Sequence, residues 1–287
     1  MPDITQLATD KQFLQSIADN DHTIPDDIDR FAFIKAMLPN FQSPDGYLRD
    51  ELTYVTIAQN IIHKQYLTPA QLEELLLTCL DQAHLFYHIG EAGTDTVFMR
   101  SFSILVAAAI LYFDGNSNQL SENIAQQARI ALLRYAKEEC DWRVYVKGKG
   151  WAHAVAHLAD ALDECAQNRF ATLEDREEIM SAVRDLARLP EPLGSEEDER
   201  LAYVAYRIIA QQQVSEAFLS AWLQSCFVER SRDGVTDEQV VATWTSAANA
   251  KNFLRSLYFR LQRNQQALHL LEPITDVLNR LDSFPAE

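Results

Sequence analysis

Two histidines, His153 and His157, stand four residues apart in the run Trp151-Ala-His-Ala-Val-Ala-His-Leu-Ala-Asp160, and Glu164 follows one turn later. At 100° per residue, His153, His157, Asp160 and Glu164 fall on one stripe of a helix, with Trp151, Val155, Leu158 and Leu162 on the opposite side. Two imidazoles at this spacing, followed by a carboxylate, suit a divalent cation or a general-base pair oriented by Asp160. The glutamate of an HExxH helix is absent, and no other His, Cys or Asp has a diagnostic metal spacing. A hydrogen-bonded or ligand-facing stripe is therefore preferred to a metal site, and no cofactor is expected.

Arg143, Lys147 and Lys149 lie just upstream and are the densest positive cluster of the chain. With Trp142, Tyr145 and Trp151 they make a candidate anion-and-aromatic pocket; the alternative is surface lysines beside core aromatics. Gly148 and Gly150 would allow close backbone approach, and a helix starting at Trp151 would offer free amides to an anion. Two further segments carry an arginine near a helix start. In Ser43-Pro-Asp-Gly-Tyr-Leu-Arg49, Asp45 is placed to cap and Arg49 to bond a neighbouring element. In His88-Ile-Gly-Glu-Ala-Gly-Thr-Asp-Thr-Val-Phe-Met-Arg100, a glycine-containing loop feeds an apolar helix, with Asp95 as the expected cap. Tyr203, Tyr206, Trp222 and Trp244 are read as core aromatics at helical spacing.

The elements that would position these groups are all helical. Apolar residues recur at helical spacing in about a dozen segments, including 4–18, 48–62, 69–87, 96–113, 151–166, 196–212 and 237–262. Thr68-Pro-Ala-Gln71 and Thr236-Asp-Glu-Gln239 have capping-box spacing, and Ser121, Thr172, Ser195 and Ser215 are further candidate caps. Arg49, Arg100, Trp151 and Arg200 occupy comparable places near four helix starts, 51, 51 and 49 residues apart. The caps Thr68, Ser121 and Thr172 between them follow at 53 and 51 residues. A two-helix unit of about 50 residues can bury its apolar face only against its neighbours. The expected fold is all-α: a HEAT/armadillo-like array of paired helices, an α-α superhelix, forming one domain over 1–287. A boundary near 189–195 is suggested by Leu-Pro-Glu-Pro-Leu-Gly-Ser.

Composition limits the partners. A formal charge of −17 repels phosphate backbones and anionic membranes at long range. Cys79, Cys140, Cys165 and Cys226 form no CxxC pair, and no hydrophobic signal precedes the first helix, so reduced thiols in the cytoplasm are expected. The run Val97–Phe113 is interrupted by Arg100, Ser101 and Ser103 and reads as a buried helix rather than a membrane span.

As a set, Leu48-Arg-Asp-Glu-Leu52, His88-Ile-Gly-Glu-Ala-Gly-Thr-Asp95, Arg100-Ser-Phe-Ser103 and Gly148-Lys-Gly-Trp-Ala-His-Ala-Val-Ala-His157 resemble a bacterial family catalogued as domain of unknown function 2785, over roughly residues 40–260. The resemblance implies an all-helical, HEAT-like fold and transfers no activity, cofactor or catalytic residue.

The function expected from this reading is a binding module whose groove takes a peptide, a protein or a small anionic ligand, with Arg49, Arg100, Arg143, Lys147, Lys149, Trp151, His153, His157 and Asp160 at the site. The alternative is an enzyme, a metal-assisted hydrolase or an acid–base catalyst built on His153, His157 and Asp160. A DNA-repair glycosylase comes last, because the charge opposes nucleic acid.

Overall fold

The computed structural model describes residues 3–230 and 234–282. The protein is all-α: among the described residues there are thirteen α-helices and a single pair of two-residue strands. It divides into two compact units, 1–170 and 171–287. The division falls at Phe170, not at 189–195. In the second unit Asn249 explains why: its side chain donates to the carbonyls of Leu189 (2.9 Å) and Glu191 (2.7 Å) and accepts from the Leu193 amide (3.2 Å), tying that proline-rich segment to its own unit.

The first unit contains α1 (Ile4–Thr9), α2 (Lys11–Asp19), α3 (Arg30–Met37), α4 (Val55–Ile62), α5 (Pro69–Cys79), α6 (Thr96–Ser117), α7 (Glu122–Glu138) and α8 (Ala154–Gln167). The helix expected over 4–18 breaks at Asp10, whose carboxylate caps α2 through the amides of Gln12 and Phe13. A π-helical segment, Tyr47–Tyr54, runs into α4, and the Val55 amide bonds the Asp50 carbonyl five residues back. The helix expected over 69–87 ends at Cys79 and gives way to turns. α6 packs against α4, α5 and α8, and α5 packs against α7, so alternate helices of the chain are neighbours. By length and composition α6 is apolar enough to cross a membrane, but 83% of its most apolar stretch is buried inside the protein.

The second unit comprises α9 (Leu173–Leu186), α10 (Glu197–Ala210), α11 (Glu216–Ser225), α12 (Asp237–Arg263) and α13 (Leu271–Leu281). α12 packs on α10 and α13, and α11 on α9 and α13. Capping boxes close at Thr68, Thr172 and Thr236, and Ser215 caps the Phe218 amide. Ser121 sits at its helix start without a side-chain cap bond, and Glu196 takes the N-cap place expected of Ser195. Trp222 is core, its indole donating to the Met180 carbonyl at 2.7 Å. Tyr203 (42% exposed) and Trp244 (37%) are at the surface, contrary to the core reading.

The caps of the second helices keep their even interval, but the 151–166 helix starts three residues late, at Ala154. Trp151 belongs to a β-hairpin, β1 (Tyr145–Val146) paired antiparallel with β2 (Gly150–Trp151), Tyr145 opposite Trp151. The Lys147-Gly148-Lys149 turn closes it, with Gly148 at φ +79° and the Lys149 amide bonded to the Val146 carbonyl.

Candidate functional site

The hairpin is the point on which the sequence motifs converge. Arg49, from the π-helical segment, is fully buried with its guanidinium 4.0 Å from the Phe98 ring centroid and 4.8 Å from that of Phe102. It donates to the carbonyls of Ser43 (3.0 Å), Lys149 (3.0 Å) and Trp151 (3.5 Å), and its Nε lies 2.7 Å from Asp50. Burial lowers the Arg49 pKa and raises that of Asp50, and their mutual attraction opposes both shifts. The hairpin backbone approaches this arginine closely because two positions are glycine. A Cβ on Gly150, at φ +93°, would sit 3.0 Å from the Arg49 guanidinium, and one on Gly46 would sit 3.2 Å from the Lys149 carbonyl. Gly148, Gly90 and Gly93 have nothing within 4 Å of a built Cβ. They serve turns, so the close approach expected at Gly148 is not found.

From the other side, α6 and α8 hold the strand that leaves the hairpin. The Ser101 hydroxyl donates to the Ala152 carbonyl, and His157 Nδ1 lies 2.7 Å from Ser101 Oγ and 3.2 Å from the Ser101 carbonyl. A carbonyl only accepts, so Nδ1 carries the hydrogen. Ser101 is buried and its proton faces a main-chain oxygen, an arrangement that does not make a nucleophile. His153 is in the left-handed conformation (φ +48°) at the N-cap of α8: its carbonyl accepts the His157 amide at 2.9 Å, but its backbone lies outside the regular helix. The four-residue stripe of the sequence reading is interrupted there. The rings nevertheless form a series: Tyr145 to Trp151 at 4.9 Å, Trp151 stacked on His153 at 4.3 Å, His153 to His157 at 5.9 Å and His157 to Phe102 at 5.4 Å. Asp160 is half-buried further along α8.

Of the remaining cations of the expected anion site, Arg100, Arg143 and Lys149 are paired. Arg100, fully buried, makes a two-pronged ion pair with Glu139 (2.6 and 2.9 Å) and donates to the carbonyls of Tyr87 (3.0 Å) and Glu91 (3.2 Å). It secures the 87–91 turn rather than the hairpin. Arg143 pairs with Asp141, and Asp141 also accepts the Gly93 amide at 2.9 Å. Lys149 pairs at 2.7 Å with Asp95, the residue expected to cap α6, which makes no side-chain cap bond there. Lys147 is exposed at the turn. Thus the structure gathers Arg49, Lys149, Trp151, His153 and His157, and directs Arg100 and Arg143 to carboxylates. The helix that was to offer amides from Trp151 starts beyond the hairpin. Among the described residues no group of three or more His, Cys, Asp and Glu could hold a metal ion.

Sequence reasoning missed the partners Asp50, Ser101, Glu139 and Asp141. The acidic run Glu138-Glu139-Cys-Asp141 beside a basic stretch was the available signal for two of them. Ser101 had none, since it acts on a segment fifty-one residues away, and Asp50 stands beside Arg49 in the chain without a spacing that marks it as the partner.

Fold and site together define an all-helical protein whose helices pin a short aromatic hairpin from both sides. The chain belongs to the DUF2785 family, described as a protein of unknown function, which it matches over residues 85–259. The match takes in the glycine loop, the hairpin and α8 but not the Arg49 segment, which the resemblance had included. No curated protein and no solved structure matches the chain.

Proposed function

We propose that this protein is a binding module whose hairpin presents Tyr145 and Trp151 to a peptide or to the surface of another protein. The observation that carries this reading is the exposure of a cross-strand aromatic pair, Tyr145 at 55% and Trp151 at 42%, on a backbone held by buried side chains. Aromatic side chains contribute large contact areas at low entropic cost, and a rigid mounting keeps that cost low on binding. The small-anion reading loses support because Arg49, Arg100, Arg143 and Lys149 already face carboxylates. The enzyme reading loses support from the displacement of His153 and the engagement of His157 Nδ1 with Ser101. The contacts between alternate helices support a repeat-like body behind the hairpin, and four free thiols support a reducing, cytoplasmic setting.

The test is selection of a random peptide library on the immobilised full chain, followed by binding of the enriched peptides to Tyr145→Ala/Trp151→Ala. Both rings pack on each other and Trp151 on His153, so thermal unfolding should shift modestly, with circular dichroism showing the fold intact, while binding is lost. Peptides that bind the double variant as tightly as the original place the binding surface elsewhere and sink the reading.

A further inference from the structure

From Gln239 to Leu271 the chain contains no Asp or Glu, although 42 acidic residues are spread over the rest of it and the formal charge is −17. The stretch from Arg200 to Ser215 contains none either. These stretches form most of α12 and most of α10, which pack side by side and run in the same direction: Glu199 accepts from Ser256 (2.8 Å) and Arg260 (2.7 Å), and further along Ala210 and Gln266 line one cavity. The fold thus brings two acid-free segments together in an acidic molecule. On the outer stripe of α12, Arg255, Phe259 and Arg263 are exposed at successive intervals of four residues, an aromatic ring with a cation one turn to either side. Phe259 is 56% exposed. Arg255 and Arg263 make no ion pair or side-chain hydrogen bond among the described residues. Beside this line Tyr203 of α10 carries the guanidiniums of Arg260 and Arg207, 5.3 and 5.8 Å from its ring centroid, so the α10 flank is cationic and aromatic as well. The carboxylates at the seam, Asp198 and Glu199, stand in the first turn of α10, away from Arg263.

We propose that this stripe docks an extended acidic segment of another protein, in which two carboxylates flank one apolar residue at alternate positions. Charge selects the occupant. Exposed guanidiniums form two-pronged bonds with carboxylates, and no acidic residue of α12 stands on this part of the stripe to compete. Spacing selects its conformation. Four helical residues rise about 6 Å, and alternate side chains of an extended chain lie about 6.6 Å apart on one face, so acid, apolar residue and acid meet Arg255, Phe259 and Arg263 in step. A docking helix would need a broad apolar groove, and one phenylalanine between two arginines does not supply it. The charge of −17 opposes a long polyanion such as a nucleic-acid strand, whereas a short segment with two carboxylates feels chiefly the cations within a screening length of about 8 Å. The inference rests on the second unit alone and is independent of the hairpin reading.

Fluorescence anisotropy of a dye-labelled peptide containing Glu-Ser-Leu-Ser-Glu, titrated with the full chain, tests it. This peptide should bind, and its version with Gln for both Glu should bind roughly tenfold more weakly or worse. Arg255→Glu and Arg263→Glu, both surface changes, should each lower the affinity by roughly tenfold, and Arg255→Glu/Arg263→Glu should instead take the peptide with Lys for both Glu. Phe259→Ala should weaken binding to either charge version, with circular dichroism confirming that every variant is folded. A Glu peptide bound no more tightly than its Gln version overturns the proposal, and so does binding that survives both reversals. A thymidine oligonucleotide bound more tightly than the peptide overturns it in favour of a nucleic-acid strand.

Discussion

Arg49 combines four attachments that no other side chain could make together: a carboxylate, the Ser43 carbonyl, the hairpin carbonyls and two aromatic faces. Truncation to Ala would leave the half-buried Asp50 without its cation and the hairpin carbonyls without a donor. Breaking such a pair costs about 3 kcal/mol, which for a unit of this size lowers the melting temperature by roughly 6–12 °C. Arg49→Lys retains the charge but not the planar fork, so it should fall between the two. Thermal unfolding followed by circular dichroism reads both. Equal melting temperatures for Arg49→Ala and the original protein would show that the hairpin is held without this residue.

Individual elements are joined by polar groups in the same way as the hairpin. After α2 the chain turns through His22, whose Nδ1 lies 2.9 Å from Thr56 Oγ1 on α4, and Asn60 donates to the His22 carbonyl at 2.9 Å. Burial lowers the His22 pKa from 6.5; nearby Asp21 and Glu51 oppose the shift and Lys64 adds to it. A histidine with a depressed folded pKa contributes stability that is present above its unfolded value and is lost as pH falls through the folded one. The contribution of His22 should therefore be constant above pH 6.5 and decline below it. Melting temperatures of the original protein and His22→Gln, compared from neutral pH to about pH 5, should converge on acidification. A gap that widens as pH falls would mean that charged His22 is the better-held form.

For the molecule as a whole, burial sorts the four thiols. Cys79, Cys165 and Cys226 are buried and Cys140 is exposed. Burial pushes the Cys226 thiol up to about 12 and that of Cys79 higher still, so both remain neutral and unreactive in the folded state. Alkylation of the native protein should add one group, at Cys140, and alkylation in denaturant should add four. Intact-mass measurement distinguishes them, and rapid native modification at more than one thiol would mean that a unit opens under native conditions.

Much of the fold was legible in the sequence. Helical class, most of the helix starts and three capping boxes follow from local rules: apolar spacing sets which face is buried, and a Thr three residues before Gln or Asp satisfies the first-turn amides. The site was legible only as a set of residues. His153 and His157 were recognisable by type, but the three residues that form the strand and the αL cap before α8 satisfy their backbone groups through Arg49, Ser101 and Val144, all outside the helix. Local periodicity cannot register partners fifty to a hundred residues away. The same limit applies to charge. Arg100 and Lys149 look available along the chain, and only the tertiary fold, by bringing Glu139 and Asp95 within 3 Å, turned them into structural pairs. It also left Tyr145, Trp151 and the outer stripe of α12 uncovered, because exposure depends on which faces the rest of the chain can reach.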